Sequence, residues 1–315
     1  MKESIIIIGA NGQIGTELAI ALRKKFGAEN VVTTDIREPQ IKSPDEIFEI
    51  ANVLDKDGLE TLFQKYKPTQ VYLLAAMLSA TGEKYPEKAW ELNMNGLLNV
   101  LDLAVTYQVS KIFWPSSIAV FGPHSPKTNT EQYCVMDPNT IYGISKLAGE
   151  RLIEWYQEHR GLDIRSVRYP GIISWKTEPG GGTTDYAVDI FYEALKTGTY
   201  ACFLSENTAL PMLYMDDAIR GTLELMDAPK ENLSIRHSYN LGGITFTPKE
   251  LAQEIKKILP NFAISYVAND PRQQIADSWP ASLDDSYARK DWTWKPEFDI
   301  QKMTVDMIEN LKNKI

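Results

Sequence analysis

Several residue types are scarce in this 315-residue chain, and each scarcity removes a class of function. Cysteine occurs twice, at Cys134 and Cys202, and histidine three times, at His124, His159 and His237. Neither set has the spacing of a metal site or the density of a disulfide scaffold, so no metal is expected. A reducing, cytoplasmic compartment fits that cysteine usage. No apolar run approaches the ~18 residues of a membrane span, so no membrane partner is expected. The isoleucines Ile5 to Ile8 are too short a run for a signal-peptide core. No stripe of Lys or Arg stands out and the formal net charge is −9, which argues against a nucleic-acid partner. No internal repeat or low-complexity segment is visible. What the chain does have is 43% hydrophobic residues, enough for a large core in one or two domains.

The pattern of those residues is strand–helix alternation. Ser4–Ile8, Val31–Thr34, Val71–Leu74, Lys111–Pro115 and Ile164–Arg168 read as strands. Between them, Gln13–Phe26, Lys56–Tyr66, about Glu87–Tyr107 and about Thr140–His159 read as helices with apolar stripes. Alternation of this kind implies an α/β fold, a Rossmann-type doubly wound parallel sheet with helices on both faces. The remainder is less regular, with helices near Tyr186–Lys196, Asp217–Met226 and Pro248–Ile258 and short strands near Ser238–Leu241 and Ala263–Val267. The expected organisation is a nucleotide-binding domain over 1–170 and a smaller, irregular substrate lobe over 171–315, some of whose segments return to the sheet.

The first strand runs into a glycine triplet, Gly9, Gly12 and Gly15, in "IIIIGANGQIG". Gly9 allows a tight turn, Gly12 lets backbone approach a diphosphate, and Gly15 lets the helix pack on the sheet. Gln13 and Ile14 open that helix, whose N-terminus favours the diphosphate charge. Asp35, about twenty residues on, ends the second strand and suits the two ribose hydroxyls. Its carboxylate repels a 2′-phosphate, which indicates NAD; Ile36 follows it, and Arg37 is a mild counter-hint. Asp55, after Leu54, reads equally as an adenine contact or as the cap of the helix at Lys56. Leu74, Ala75 and Ala76 end the third strand with small residues that leave room for the cofactor.

Chemistry enters with "IYGISKLAGE", Ile141 to Glu150. Tyr142 and Lys146 are four apart on a helix and share a face. A phenol is a poor base at neutral pH, but a neighbouring ammonium and a positive nicotinamide favour its phenolate. It then takes a hydroxyl proton as hydride leaves the same carbon. Ser116 and Ser117, in "FWPSSIAVFG", sit at the C-terminal end of a strand, the edge where open α/β sheets bind ligands. A serine there can hold the reacting oxygen.

This set resembles the extended short-chain dehydrogenase/reductases, which include nucleotide-sugar epimerases and dehydratases. The glycine spacing, the strand-end serines, Y-x-x-x-K and "RYPGII" (Arg168 to Ile173) carry the likeness. It implies Ser117 as the catalytic serine, with Ser116 as runner-up, Tyr142 as acid/base and Lys146 on the nicotinamide ribose. It also implies that Tyr169, Pro170 and Ile172 flank the nicotinamide. "YPGIISWKTEPGGGTTDYAVDIFYEAL", "LPMLYMDDAIRGTLELM" and "YNLGGITFTPKEL" are similar to the epimerase-like L-threonine 3-dehydrogenases. That branch oxidises the hydroxyl of L-threonine with NAD+ to 2-amino-3-oxobutyrate, without zinc.

The substrate side is less legible. Gly182, Thr183 and Thr184, in "PGGGTTDYAV", precede a helix and can supply donors to a carboxylate, or serve as a connector and N-cap. Ser79 and Thr81 lie on the same edge of the sheet and suit substrate or ordinary loop polarity. Trp279 reads as core packing, or by resemblance as an apolar lid. Trp90, Leu97, Leu101, Ile153 and Trp155 are apolar beyond the needs of one core face; relatives pair such helices, which implies a homodimer. Two rivals remain open on these residues: a nucleotide-sugar 4-epimerase or dehydratase, for which Arg272 is a candidate, and a non-catalytic NAD(H)-sensing module.

Overall fold

A computed structural model describes residues 3–39, 44–177, 180, 182–267 and 269–314. Six strands form one parallel sheet. They begin with β1 (Ile5–Ile8), β2 (Val31–Asp35), β3 (Ile47–Ile50), β4 (Gln70–Leu73) and β5 (Lys111–Phe113). After β6 (Ser116–Ser117), which belongs to another sheet, the sixth is β7 (Ile164–Arg165). The order is β3-β2-β1-β4-β5-β7, so the chain builds outward from β1 in one direction and then, from β4, in the other. That reversal opens a crevice at the C-terminal edge between β1 and β4. The doubly wound α/β architecture read from the sequence is the one observed.

β1 shows why the sheet sits where it does. Its four isoleucines are at most 1% exposed, and each contributes roughly 1.5–3 kcal/mol relative to solvent. Alternation sends Ile6 and Ile8 into one core with Phe63, Leu97, Leu101, Trp114 and Ile153. It sends Ile5 and Ile7 into another with Leu18, Leu22, Leu213, Ala218 and Trp294. The helices α1 (Gln13–Phe26) and α2 (Lys56–Tyr66) match the expected ranges residue for residue.

Three elements differ from the expected ones. β3 escaped notice because it is a four-residue, half-exposed edge strand with no periodicity to read. The segments 111–115 and 164–168, each expected to form one strand, are both split. Pro115 has no N–H for the ladder, so the main sheet stops at Phe113. The chain then pairs Ser116–Ser117 with β8 (Val167–Tyr169) in a second sheet. A short helix α3 (Ser79–Lys84) precedes the long helix expected over about 87–107, which is itself segmented into α4 (Pro86–Trp90), a π-helical segment Glu91–Asn95 and α5 (Gly96–Thr106).

Beyond residue 170, β9 (Gly171–Ile173) pairs with the strand Leu210–Tyr214. The helix Tyr186–Lys196 joins the strand Leu210–Tyr214 and the C-terminal helix Ile300–Lys312 around a third core. The helix Met215–Asp227 leaves that core and packs on α1, so part of the later chain covers the sheet. Leu97, Leu101 and Ile153 do not form a subunit surface as expected. Each is at most 1% exposed within the chain's own core, because their helices pack directly on the sheet. Trp90 and Trp155, 41% and 42% exposed, do face outward. No helix among the described residues is long and apolar enough to cross a membrane, and no cluster of His, Cys, Asp or Glu among them could hold a metal.

Candidate active site

The turn after β1 is closed from every side but one. Gly9 has φ +86°, and a Cβ there would lie 2.5 Å from the Ala75 nitrogen. The N–H groups of Gly9 and Ala10 both donate to the Thr34 carbonyl, at 2.9 and 3.0 Å. A Cβ on Gly15 would lie 2.6 Å from the Gly9 carbonyl oxygen. At Gly12 the nearest atom would be 3.5 Å away, so this face is open. Gly12 caps α1, which carries no acid in its first turn, and half-buried Gln13 and Ile14 follow. The free N–H groups of that turn make an anion site.

Of the other expected cofactor residues, Leu74, Ala75 and Asp35 lie against this turn. Leu74 and Ala75 donate to the Ile8 carbonyl at 2.8 and 3.0 Å, with Ala76 half-buried beside them. Asp35 accepts from the Asn11 backbone N–H at 3.0 Å, while the Asn11 side chain donates to the Arg37 carbonyl at 2.7 Å. Ile36 is 61% exposed. Asp55 caps α2 through the Gly58 N–H at 3.1 Å, the second of its two readings, and Leu54 packs against the core.

The helix α6 (Ile141–Arg160) carries the Tyr–Lys pair. Thr140 caps it by accepting from the Gly143 N–H at 3.1 Å, and Glu83 takes the Ile141 N–H at 2.7 Å. A Cβ on Gly143 would lie 2.1 Å from the Ala119 carbonyl. Glycine there lets α6 press against the turn after Ser117. The Ser117 hydroxyl is thereby brought to the side of the Tyr142 phenol, where it favours the charged form. Ser117 also accepts from the Ala119 N–H at 3.2 Å. Ser116, next along the extended chain, points the opposite way and donates to Glu150 at 2.7 Å. It does not join the pair.

Lys146 is 3% exposed. Its ammonium donates to the Pro115 carbonyl at 2.6 Å and lies 4.5 Å from the Trp114 ring centre and 5.7 Å from that of Tyr142. The two titrations differ from the electrostatic expectation. Burial pushes the Tyr142 phenol up to about 12, against the lowering by Ser117. Burial also pulls the Lys146 ammonium down to about 7, against the opposing effect of Glu150. Loss of hydration dominates at both groups, so the phenol is neutral at neutral pH.

The π-helical turn supplies a residue that sequence reasoning missed. Asn93 accepts from the Met77 N–H at 2.8 Å and donates to Ser145 at 3.0 Å, and Ser145 donates to the Tyr142 carbonyl at 2.8 Å. The loop after β4 is thereby tied to α6. An asparagine inside an apolar helix was the available clue.

On the other side, Thr184 packs against Gly171, where an added Cβ would be 2.7 Å from its methyl group. Thr183 is 2% exposed, and its hydroxyl has no hydrogen-bond partner among the described residues. Asp185 accepts from the Gly182 N–H at 2.7 Å and does not cap the helix with its side chain. Pro179 and Gly181 of the same loop lie outside the described residues. Ser79 is buried at the start of α3, and Thr81 is exposed. Trp279 is 7% exposed and packs within the third core. Tyr169 is also turned inward: its phenol bonds Thr222 and its ring meets Phe113. Pro170 is buried at the sheet edge and Ile172 half-buried.

Residues 5–242 match the model of the NAD dependent epimerase/dehydratase family. The chain belongs to that family. An uncharacterized epimerase/dehydratase of Staphylococcus haemolyticus is 45% identical, over 99% of this chain and 98% of its own. Two solved structures are also similar. One is a GalE-like L-threonine dehydrogenase from Cupriavidus necator in its holo form, 54% identical with TM-score 0.95, covering 98% of this chain and 99% of its own. The other is a monomeric L-threonine 3-dehydrogenase from a metagenome in its apo form, 48% identical with TM-score 0.95, covering 98% and 99%.

NAD is the cofactor of this family member, and the residues fit it. The open face at Gly12, the first turn of α1, which no side chain caps, and the Asp35 carboxylate lie at one edge, as a dinucleotide requires.

Proposed function

We propose that this protein is an NAD-dependent L-threonine 3-dehydrogenase that oxidises the 3-hydroxyl of L-threonine to 2-amino-3-oxobutyrate. The observation that carries the reading is buried Lys146 beside the Tyr142 ring, with Ser117 held at the turn on which α6 presses at Gly143. The likeness to solved L-threonine dehydrogenases supports the choice of substrate.

Ser117 and Tyr142 hold the substrate hydroxyl between them, and Tyr142 takes its proton. NAD+, when bound, supplies the hydride acceptor and a positive ring. Burial by itself leaves Tyr142 a neutral phenol. It becomes a base only as positive charge gathers near its ring, and Lys146 is the side chain placed to contribute. The unpartnered Thr183 hydroxyl and the position of Thr184 beside Gly171 support the 182–184 segment as the carboxylate side of the substrate site. Residues to about 170 serve the cofactor and most of the remainder the substrate. Arg272, the candidate for a sugar nucleotide, is already engaged: it pairs with Asp270 at 2.8 Å and stacks on Phe203 at 3.3 Å.

The protein acts in the cytoplasm as a homodimer joined through the outward faces of α4 and α6, where Trp90, Ile144 and Trp155 are exposed. Sedimentation analysis checks the dimer, and a monomer at micromolar concentration counts against it. The decisive assay is NADH formation with L-threonine, other amino acids and UDP-sugars. Well-folded protein that leaves threonine untouched removes the substrate reading.

A further inference from the structure

Glu150 closes the Ile141–Glu150 stretch and has no part in the chemistry above. It lies one helical turn beyond Lys146 and two beyond Tyr142, so the three share a face of α6. Its carboxylate is fully buried and receives three donors: Arg168 Nε at 2.9 Å, Arg168 Nη2 at 2.8 Å and Ser116 Oγ at 2.7 Å. Arg168, equally buried, also donates to the Gln132 carbonyl at 3.0 Å and to Asn240 Oδ1 at 2.9 Å. A buried ion pair is weak evidence for stability, because apolar replacements often do as well. The position of this one is more telling than its energy.

We propose that Glu150 is a positioning residue of the active site, which keeps the Lys146 ammonium charged in a dry interior and, through Ser116, fixes the strand that presents Ser117 to Tyr142. Lys146 otherwise touches a carbonyl and two aromatic faces, none with a formal charge. The groups around the ladder are Tyr142 and Lys146 on α6, Arg168 on β8, Ser116 on β6, and His237 ahead of the strand Tyr239–Asn240. His237 lies 3.9 Å from the carboxylate, but its Nδ1 accepts the Ser238 N–H and burial keeps it neutral. Among these, Glu150 is the anion. Ser116 pairs with Arg168 along the β6–β8 ladder, and both side chains end on Glu150, so one carboxylate anchors that strand end.

The inference rests on the roles proposed for Tyr142 and Lys146 and not on threonine. Two variants test it: Glu150→Gln, and Glu150→Gln with Arg168→Gln, which strands no buried guanidinium. Lysine labelled with 13C at Cε reports the Lys146 titration in the ligand-free protein, the signal being the one lost in Lys146→Met. The expected result is a midpoint lowered by about one pH unit or more in both variants. The high-pH limb of kcat should move down with it, and Glu150→Asp should return both toward the original. An unchanged midpoint in a folded variant overturns the inference, as does a lowered midpoint with an unmoved kcat limb. Failure of both variants to fold also overturns it, because the pair would then belong to the fold. If threonine is not the substrate, the spectroscopic arm still reads the charge on Lys146.

Discussion

Adding a single methyl group at Gly12 or at Gly15 should separate cofactor binding from folding. At Gly15 the new Cβ would lie 2.6 Å from the Gly9 oxygen, 2.7 Å from the Ala10 oxygen and 2.8 Å from the Ala10 carbonyl carbon. All three are backbone atoms of a turn fixed by β2 and β4, so α1 must lift from the sheet. Overpacking of this kind costs about 1–3 kcal/mol, and better helix propensity returns at most about 1 kcal/mol. Gly15→Ala should therefore lower the Tm of the ligand-free protein by roughly 2–6 °C. At Gly12 the nearest atom is 3.5 Å away, and φ −73°, ψ 171° suits any residue. The fold should lose no more than about 1 kcal/mol there, from the poorer cap. The methyl would instead stand on the open face that a diphosphate must approach. Losing one N–H contact to a charged group costs about 1.5–3 kcal/mol, a 10- to 100-fold weaker NAD affinity. Thermal melts with and without NAD read both effects. Gly12→Ala with a full NAD-induced shift, or Gly15→Ala as stable as the parent, would refute the reasoning.

Further outcomes follow from the site and its surroundings. Tyr142→Phe should lower kcat at least about a hundredfold; near-normal turnover of NAD and threonine would remove it from the proton-transfer role. Ser117→Ala should cost about 100-fold or more in kcat and Ser116→Ala less, since Ser116 is turned away to Glu150; the reverse order in steady-state kinetics would exchange their roles. Burial lowers the His237 imidazole from 6.5 to about 4. Between those values the unfolded chain binds the extra proton, so stability falls as pH drops through that window. His237→Gln should remove part of that fall, on the order of a few kcal/mol at the acid end; parallel urea-melt curves for both proteins would contradict it.

The cofactor half was legible because its signals are local. Ile5–Ile8, the glycine spacing and the stripes of α1 and α2 each lie within a few residues of what they determine. Asp35 could be placed at a sheet edge because a strand leads straight to it. β3 was not legible, since an edge strand of four half-exposed residues has no periodic signature. The serines show the limit most clearly. Adjacent residues of one strand point opposite ways, but the sequence does not say which way faces the helix. That was settled by α6 pressing on Ala119 at Gly143, which turns Ser117 to Tyr142 and Ser116 to Glu150.

The sequence by itself determined the alternation, the parallel sheet, the glycine turn and the helical pairing of Tyr142 with Lys146, because periodicity and steric limits act over short stretches. The tertiary structure alone decided the burial of that pair. Desolvation then raised the phenol and lowered the ammonium, against the attraction that their spacing suggested. It also decided that Arg168 and Glu150, eighteen residues apart, share one buried ion pair beneath the site. Charge states in an interior depend on everything packed around them, and that neighbourhood is assembled from distant parts of the chain.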